Sequence, residues 1–256
     1  MIYDHFHKSE QPFVDRVLDW KREVVEYGGS VLTPFLDQRE QQIVYSIMGE
    51  STENYIEKDG GFNIYERARL FMAPAYIPFS KSFMEIEACS IQFPSKFATV
   101  THRDVLGTLM GLGLKREKFG DIHIGENSVQ FVLTKDVASY VTLQLERVGR
   151  TKVKVDFISL EELWVLKEDW IEKSGTVSSL RLDVLLAEMF RINRQKAALL
   201  IEGTKVKCNW RLVESPSHVC TAGDVFSVRG MGRATLLHIE GMTKKDKIRI
   251  KYGVLQ

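Results

Sequence analysis

The stretch Asn193-Arg194-Gln195-Lys196-Ala197-Ala198-Leu199-Leu200-Ile201, closed by Gly203, has the form of a short helix capped by Asn193. Its first turn carries Arg194 and Lys196, two cations at the end where the helix macrodipole disfavours positive charge. Unpaired backbone N–H groups lie beside them. Together these donors suit one anion, such as a phosphate. Further along, Thr204-Lys205-Val206-Lys207-Cys208 has the pattern of a strand with lysines on alternate positions, and Asn209-Trp210-Arg211 that of a turn. The segment Arg229-Gly230-Met231-Gly232-Arg233 is expected to be a flexible basic loop. The chemistry these types and spacings offer is phosphate recognition, not bond making.

The charge distribution points the same way. The chain has 256 residues, 35 Lys plus Arg against 34 Asp plus Glu, and a net charge of only +1. That total hides a gradient. Residues 1–80 carry 8 basic and 13 acidic side chains, and residues 156–175 carry 2 and 6. Residues 176–256 carry 14 and 7, so a basic module is attached to an acidic body. Such a module is an electrostatic footprint for a polyanion. The acidic N-terminal part offers a surface for a protein partner.

Other chemistry finds little support. The six His residues (5, 7, 102, 123, 218, 238) show no H-E-x-x-H pattern, and His5-x-His7 would hold a metal only adventitiously. Cys89, Cys208 and Cys220 are odd in number and far apart, so neither a disulfide framework nor a CxxC zinc pair is expected. No P-loop occurs, and no cofactor, metal or catalytic residue is expected. His123-Ile124-Gly125-Glu126 resembles a nucleotide-binding signature of tRNA synthetases, but it falls in a hairpin of a small domain. There is no apolar run of about 18 residues and no basic-then-apolar leader, so a cytoplasmic protein without membrane insertion is expected.

The elements that must position these residues divide into parts. Residues 1–78 form an expected acidic, mainly helical domain. One helix runs from Pro12 to the Gly28-Gly29-Ser30 stop, and a second opens at a Thr33-Pro34 cap and runs through Ile47. Residues 79–159 give strand, helix, two strands, helix, strand. That β-α-β-β-α-β order is the ferredoxin-like or RRM-like split βαβ arrangement. Its strand Ser128–Leu133 offers one aromatic residue, Phe131, and no RNP signature, so base stacking on this sheet is not expected. Residues 160–175 are an expected acidic connector, helix or ordered linker, ended by Ser174-Gly175-Thr176. Residues 176–256 form the basic domain. Its most regular helix follows a Ser179 cap and places Leu182, Leu185, Leu186, Met189 and Phe190 on one stripe, with Arg181 and Asp183 at its start. The fold class is α+β.

The run Arg181-Leu182-Asp183-x-x-Leu, Asn193-Arg194-x-x-Ala197, Ile201-Glu202-Gly203-x-x-Val206-x-x-Asn209, Pro216 and Gly223-Asp224 resembles an S4 domain (αL-type), an RNA-binding module. Asn193 stands where the family often has Ser, and both residues cap helices. The stretch from Pro94-Ser95-Lys96-Phe97-Ala98-Thr99 to Gly120-Asp121, and the loop Arg229–Arg233, resemble YlmH-type S4 proteins. This resemblance implies a bacterial RNA-binding protein of the large ribosomal subunit, linked to ribosome-associated quality control and to cell division. In that family the protein is thought to hold peptidyl-tRNA while a tail is added to the stalled peptide. On this basis Arg181, Arg194 and Lys196 are the expected main phosphate contacts on ribosomal RNA and tRNA. Lys205, Lys207 and Arg211 extend them along the hairpin, Arg229 and Arg233 lie on the loop, and Asp183 orients a neighbouring arginine. Two alternatives stand beside this. Leu180-Arg181-Leu182-Asp183 resembles the catalytic motif of pseudouridine synthases, which points to an accessory RNA-modification factor, but too few residues follow for a catalytic domain. The acidic N-terminal domain could instead make the chain a cell-division scaffold.

Overall fold

The computed structural model describes residues 3, 6–94, 99–167, 170–244 and 246–255. His5 and residues 95–98 of the family-like run lie outside the described residues. The chain divides into two compact units, Met1–Leu166 and Lys167–Gln256. Among the described residues, no helix is long and apolar enough to cross a membrane.

The first unit opens with α1 (Gln11–Val25), which buries Val14, Val17 and Val24. Strand β1 (Val31–Leu32) follows, then α2 (Gln38–Met48). Thr33-Pro34 does not cap α2. The Thr33 hydroxyl accepts from the Leu70 amide at 2.9 Å and donates to the Pro34 carbonyl, which fixes extended backbone. The cap is Asp37, in a reciprocal capping box with Glu40. Beside the two expected helices the structure adds β2 (Asn54–Asp59) and β3 (Arg69–Pro74), giving a three-stranded sheet of order β1-β3-β2. All six residues of β3 are buried. Such a strand shows no alternation, so periodicity alone could not type it.

The remainder of this unit has the expected β-α-β-β-α-β order. It comprises β4 (Ile86–Gln92), α3 (His102–Gly111), β5 (Phe119–Ile124), β6 (Ser128–Thr134), α4 (Lys135–Gln144), a small hairpin of β7 (Arg147–Val148) and β8 (Thr151–Lys152), and β9 (Lys154–Ile158). The antiparallel sheet has order β5-β6-β4-β9. One face, with Cys89, Ile91, Val129, Phe131 and Leu133, packs with residues of α3 and α4. The other face is covered as well. Ile86, Ala88 and Val132 pack with Phe35, Phe71, Met84 and Leu163. The Gln130 amide donates to the Glu162 carbonyl, and its oxygen accepts from the Trp164 amide at 2.7 Å. The face on which an RRM stacks bases is therefore occupied by the protein's own chain.

Two substitutions test this packing. A Cβ on Gly120 would stand 2.5 Å from Val132 Cγ2 and 2.8 Å from Phe35 Cε1, so Gly120→Ala should destabilise the first unit by about 1–3 kcal/mol in urea unfolding. Thr101 and Asp104 form a capping box at α3, and Thr101→Ala should lower stability by about 1 kcal/mol in the same measurement.

The second unit is a six-stranded antiparallel sheet with two helices. Its elements are β10 (Trp170–Val177), α5 (Leu182–Met189), α6 (Arg194–Glu202), β11 (Val206–Cys208), β12 (Arg211–Leu212), β13 (Val225–Val228), β14 (Gly232–Met242) and β15 (Ile248–Leu255). The sheet order is β10-β15-β14-β13-β11-β12. Leu182, Leu185, Leu186, Met189, Ala197 and Ile201 of the helices pack with Val206, Phe226, Val228, Ala234, Leu236 and Ile250 of the sheet. The expected connector 160–175 is thus divided. Residues 160–162 form a 3-10 turn, and Leu163 is buried in the first unit, whereas β10 is an edge strand pairing with β15. Charged residues interrupt the apolar pattern of β10, which hid the strand. Gly175 lies within it, and a Cβ there would stand 2.5 Å from Glu188 Oε1, so that flexible side chain would have to shift.

Candidate nucleic-acid interface

The cluster at the helix starts is built around Asp183. Arg181, not Ser179, is the N-cap of α5, because its extended backbone forms a β-bridge with Val219. Leu182 N donates to the His218 carbonyl at 2.8 Å, and Asp183 N donates to the Pro216 carbonyl at 3.1 Å. The segment 216–220 thereby fixes the first turn of α5. Asp183 is 3% exposed. Arg181 grips it with two bonds, Nε to Oδ1 at 3.0 Å and Nη2 to Oδ2 at 3.1 Å. Arg194, the first residue of α6, donates Nε to Oδ2 at 2.8 Å.

One buried carboxylate therefore holds two guanidinium groups together against their mutual repulsion. Both arginine side chains remain partly exposed, at 38% and 57%. Arg194 uses only Nε in this cluster, leaving its terminal amino groups for an outside acceptor. Burial pushes the Asp183 carboxyl up, but the bonds from Arg181 and Arg194 outweigh it and hold the group below its ordinary value. A depressed folded-state value means the unfolded chain takes up the proton first as acidity rises. The contribution of this carboxylate is thus complete above the ordinary range near ~4 and is lost as pH falls through the lower folded value. Chemical-denaturation midpoints of the second unit should accordingly carry no loss from Asp183 between neutrality and about pH 5.

Asn193 caps α6 by accepting from Lys196 N at 2.7 Å, and Lys196 is exposed next to the cluster in sequence. The other basic residues divide by register. Lys207 pairs with Ser227, and Ser227 with Arg233, so Lys207 and Arg233 share the sheet face opposite the buried Val206, Cys208, Phe226 and Val228. Strand alternation puts Lys205 on this outer face, and Arg229 N donates to the Lys205 carbonyl at 2.9 Å. Arg211 pairs with Cys208 and so belongs to the other side, at the sheet edge. Arg181, Arg194 and Lys196 thus form a helix-start group and Lys205, Lys207, Arg229 and Arg233 an outer-face group, while Arg211 belongs to neither.

Arg233 is not on a flexible loop. Val228 pairs with Gly232, leaving a three-residue hairpin connection, with φ of +82° at Gly230 and +98° at Gly232. The glycines serve this tight turn, and Arg233 is a residue of β14. Several motif residues have framework roles of the same kind. Asn209 donates Nδ2 to Asp224 Oδ1 at 2.8 Å, and its side-chain oxygen accepts from Val225 N. Sequence reasoning passed over Arg191, exposed in the turn before Asn193 with φ of +52°, and Arg249, exposed on β15. A basic residue just ahead of a helix cap was the available signal for Arg191. No comparable signal marks Arg249.

The fold also joins residues that their spacing keeps apart. Cys208, His218 and Cys220 bring their ligand atoms within 4.8 Å of one another. The Cys220 thiol donates to the His218 carbonyl at 3.8 Å, and its closeness to the Cys208 sulfur together with burial pushes it above its ordinary value. His7 of the His5-x-His7 pair bonds the Ser9 hydroxyl through Nδ1. His123 packs edge-on against Phe62, and burial pushes its imidazole below the ordinary value.

Comparison with known proteins gives matches over both units. A family model described as "Putative RNA-binding domain in YlmH" matches residues 78–162. The S4 domain model matches residues 180–226, which hold the whole Arg181–Asp183–Arg194 cluster. The Bacillus subtilis (strain 168) ribosome-associated protein quality control protein P2 is 43% identical over 251 residues, covering 98% of this chain and 97% of that protein. The solved cell division protein ylmH from Streptococcus pneumoniae is 27% identical with a TM-score of 0.53, covering 62% of this chain and 96% of the solved one.

Proposed function

The chain belongs to the YlmH family of S4-domain RNA-binding proteins, and from that premise we propose that it is a non-catalytic cytoplasmic factor that binds the large ribosomal subunit. In this reading it grips large-subunit ribosomal RNA and peptidyl-tRNA through the S4 surface and supports the tailing of stalled peptides. The observation that carries the proposal is the Arg181–Asp183–Arg194 cluster, which presents two preoriented guanidinium groups at adjacent helix starts. Charge-assisted arginine contacts suit phosphate oxygens on folded RNA. Lys196 adds to that group, Lys205, Lys207, Arg229 and Arg233 offer a second contact zone on the outer sheet face, and Arg211 lies at the sheet edge apart from both. A framework role for Asp183, whose two oxygens are both taken by arginines, favours binding over catalysis.

Ultraviolet cross-linking in cells, followed by sequencing of the attached RNA, tests this. Large-subunit RNA and tRNA should dominate the recovered fragments, and their absence would refute the proposal. The division-protein name of the pneumococcal relative favours a second reading, a protein partner on the acidic N-terminal part. Recovery of a partner protein by residues 1–166, with no RNA recovered by the full chain, would select it.

A further inference from the structure

We propose that Cys208, His218 and Cys220 form a zinc site, with an open fourth position facing solvent. The three donors come from two segments that meet only in the folded chain. Cys208 ends β11, and its backbone is pinned on both sides by pairing with Phe226 and Arg211. Cys220 is fully buried, and its amide donates to the Leu180 carbonyl at 2.9 Å. His218 is exposed, while its carbonyl accepts from Leu182 N. The sulfur ligands are thus held inside on fixed backbone, and the imidazole can close over them from outside, which supplies the entry path.

The dimensions fit. Zinc–sulfur bonds of about 2.3 Å and zinc–nitrogen bonds of about 2.0 Å in a tetrahedron place ligand atoms ~3.5–3.8 Å apart. The observed spread of up to 4.8 Å therefore needs about an ångström of closure, which the exposed His218 side chain can supply. Two thiolates and a neutral imidazole are a borderline-soft set that selects zinc over magnesium or calcium. Binding displaces two protons, one from each thiol, and gives an uncharged centre with water in the fourth position. The Asp224 carboxylate accepts from Asn209 Nδ2 and Thr221 N, the residues that follow Cys208 and Cys220, so a negative charge lies beside the site and favours a cation further. Pro216 and His218 hold the first turn of α5 through their carbonyls. A metal here would consequently tie down the segment that positions Asp183.

The test is a cobalt titration of the full chain, reduced and stripped of metal, followed by zinc competition. Thiolate-to-cobalt charge-transfer bands and tetrahedral ligand-field bands should appear, saturate at one metal per chain and vanish on adding zinc. Cys208→Ser and Cys220→Ser should abolish the bands, and Cys89→Ala should leave them unchanged. His218→Ala removes an exposed side chain, so the fold should persist by circular dichroism while affinity falls at least about tenfold. Absence of the bands, bands that survive Cys208→Ser, or unchanged affinity in a folded His218→Ala protein would each overturn the site. So would a reduced chain that binds no metal and simply forms a Cys208–Cys220 disulfide on oxidation.

Discussion

Replacing Arg181 and Arg194 together by glutamine should weaken binding to structured RNA by about a hundredfold at moderate salt, with a smaller drop in thermal midpoint than Arg181→Ala/Arg194→Ala. Glutamine is chosen over alanine for a physical reason. Alanine at both positions would leave the buried Asp183 carboxylate with no donor, and the loss of binding could then be blamed on unfolding. Each glutamine amide can still donate to Asp183 while the two positive charges are gone. The salt dependence supplies an independent reading. Each neutralised phosphate contributes about 0.7 on a single strand and about 0.9 on a duplex to the slope of log K against log salt, so the variant's slope should fall by about 1.4–1.8. Lys205→Gln/Lys207→Gln, on the outer sheet face, should lower the slope similarly but reduce affinity less, because exposed lysines hold phosphate without fixed geometry. Equal affinities for the Arg181→Gln/Arg194→Gln variant and the wild type, measured by fluorescence anisotropy, would place the RNA elsewhere.

Asp183→Ala gives the second large effect, and its sign separates two accounts. The substitution raises the net charge by one. If binding depended only on the sum of charge, affinity for RNA would rise. In the structure Asp183 aligns both arginines, so affinity should instead fall by about tenfold. Stability of the second unit should fall by about 2 kcal/mol, since three charge-assisted bonds are lost while both guanidinium groups can turn back to water. Asp183→Asn, which keeps the shape and one acceptor, should fall between the two. Anisotropy and urea unfolding on the same samples separate the two losses, and tighter RNA binding by Asp183→Ala would reject the orienting role.

What the sequence carried openly was local. The stripe of α5, the Asn193 cap and the alternation of β11 follow from spacings of three to four or of two, and the structure has all three. The middle β-α-β-β-α-β order was legible because each element obeys one period. What stayed hidden depends on partners distant along the chain. β3 is buried on both faces and shows no alternation, and β10 gains its place only by pairing with β15. Thr33 looked like a cap, yet its hydroxyl bonds the Leu70 amide, 37 residues away. The same limit applies at the site. Arg181, Asp183 and Arg194 were each visible, but only the fold puts both arginines on one carboxylate. Arg233 looked mobile beside two glycines, while the glycines in fact serve the turn and leave Arg233 on a strand. Cys208 and Cys220 are twelve residues apart, and the fold sets them side by side.

The S4 surface is proposed to anchor this chain to the large ribosomal subunit. Co-sedimentation with purified large and small subunits over a rising salt series tests it most directly, with wild type beside Arg181→Gln/Arg194→Gln. The wild type should travel with the large subunit, added peptidyl-tRNA should extend this binding to higher salt, and the variant should stay in the supernatant. A wild type that sediments with neither subunit at low salt, or a variant that sediments as the wild type does, would contradict it.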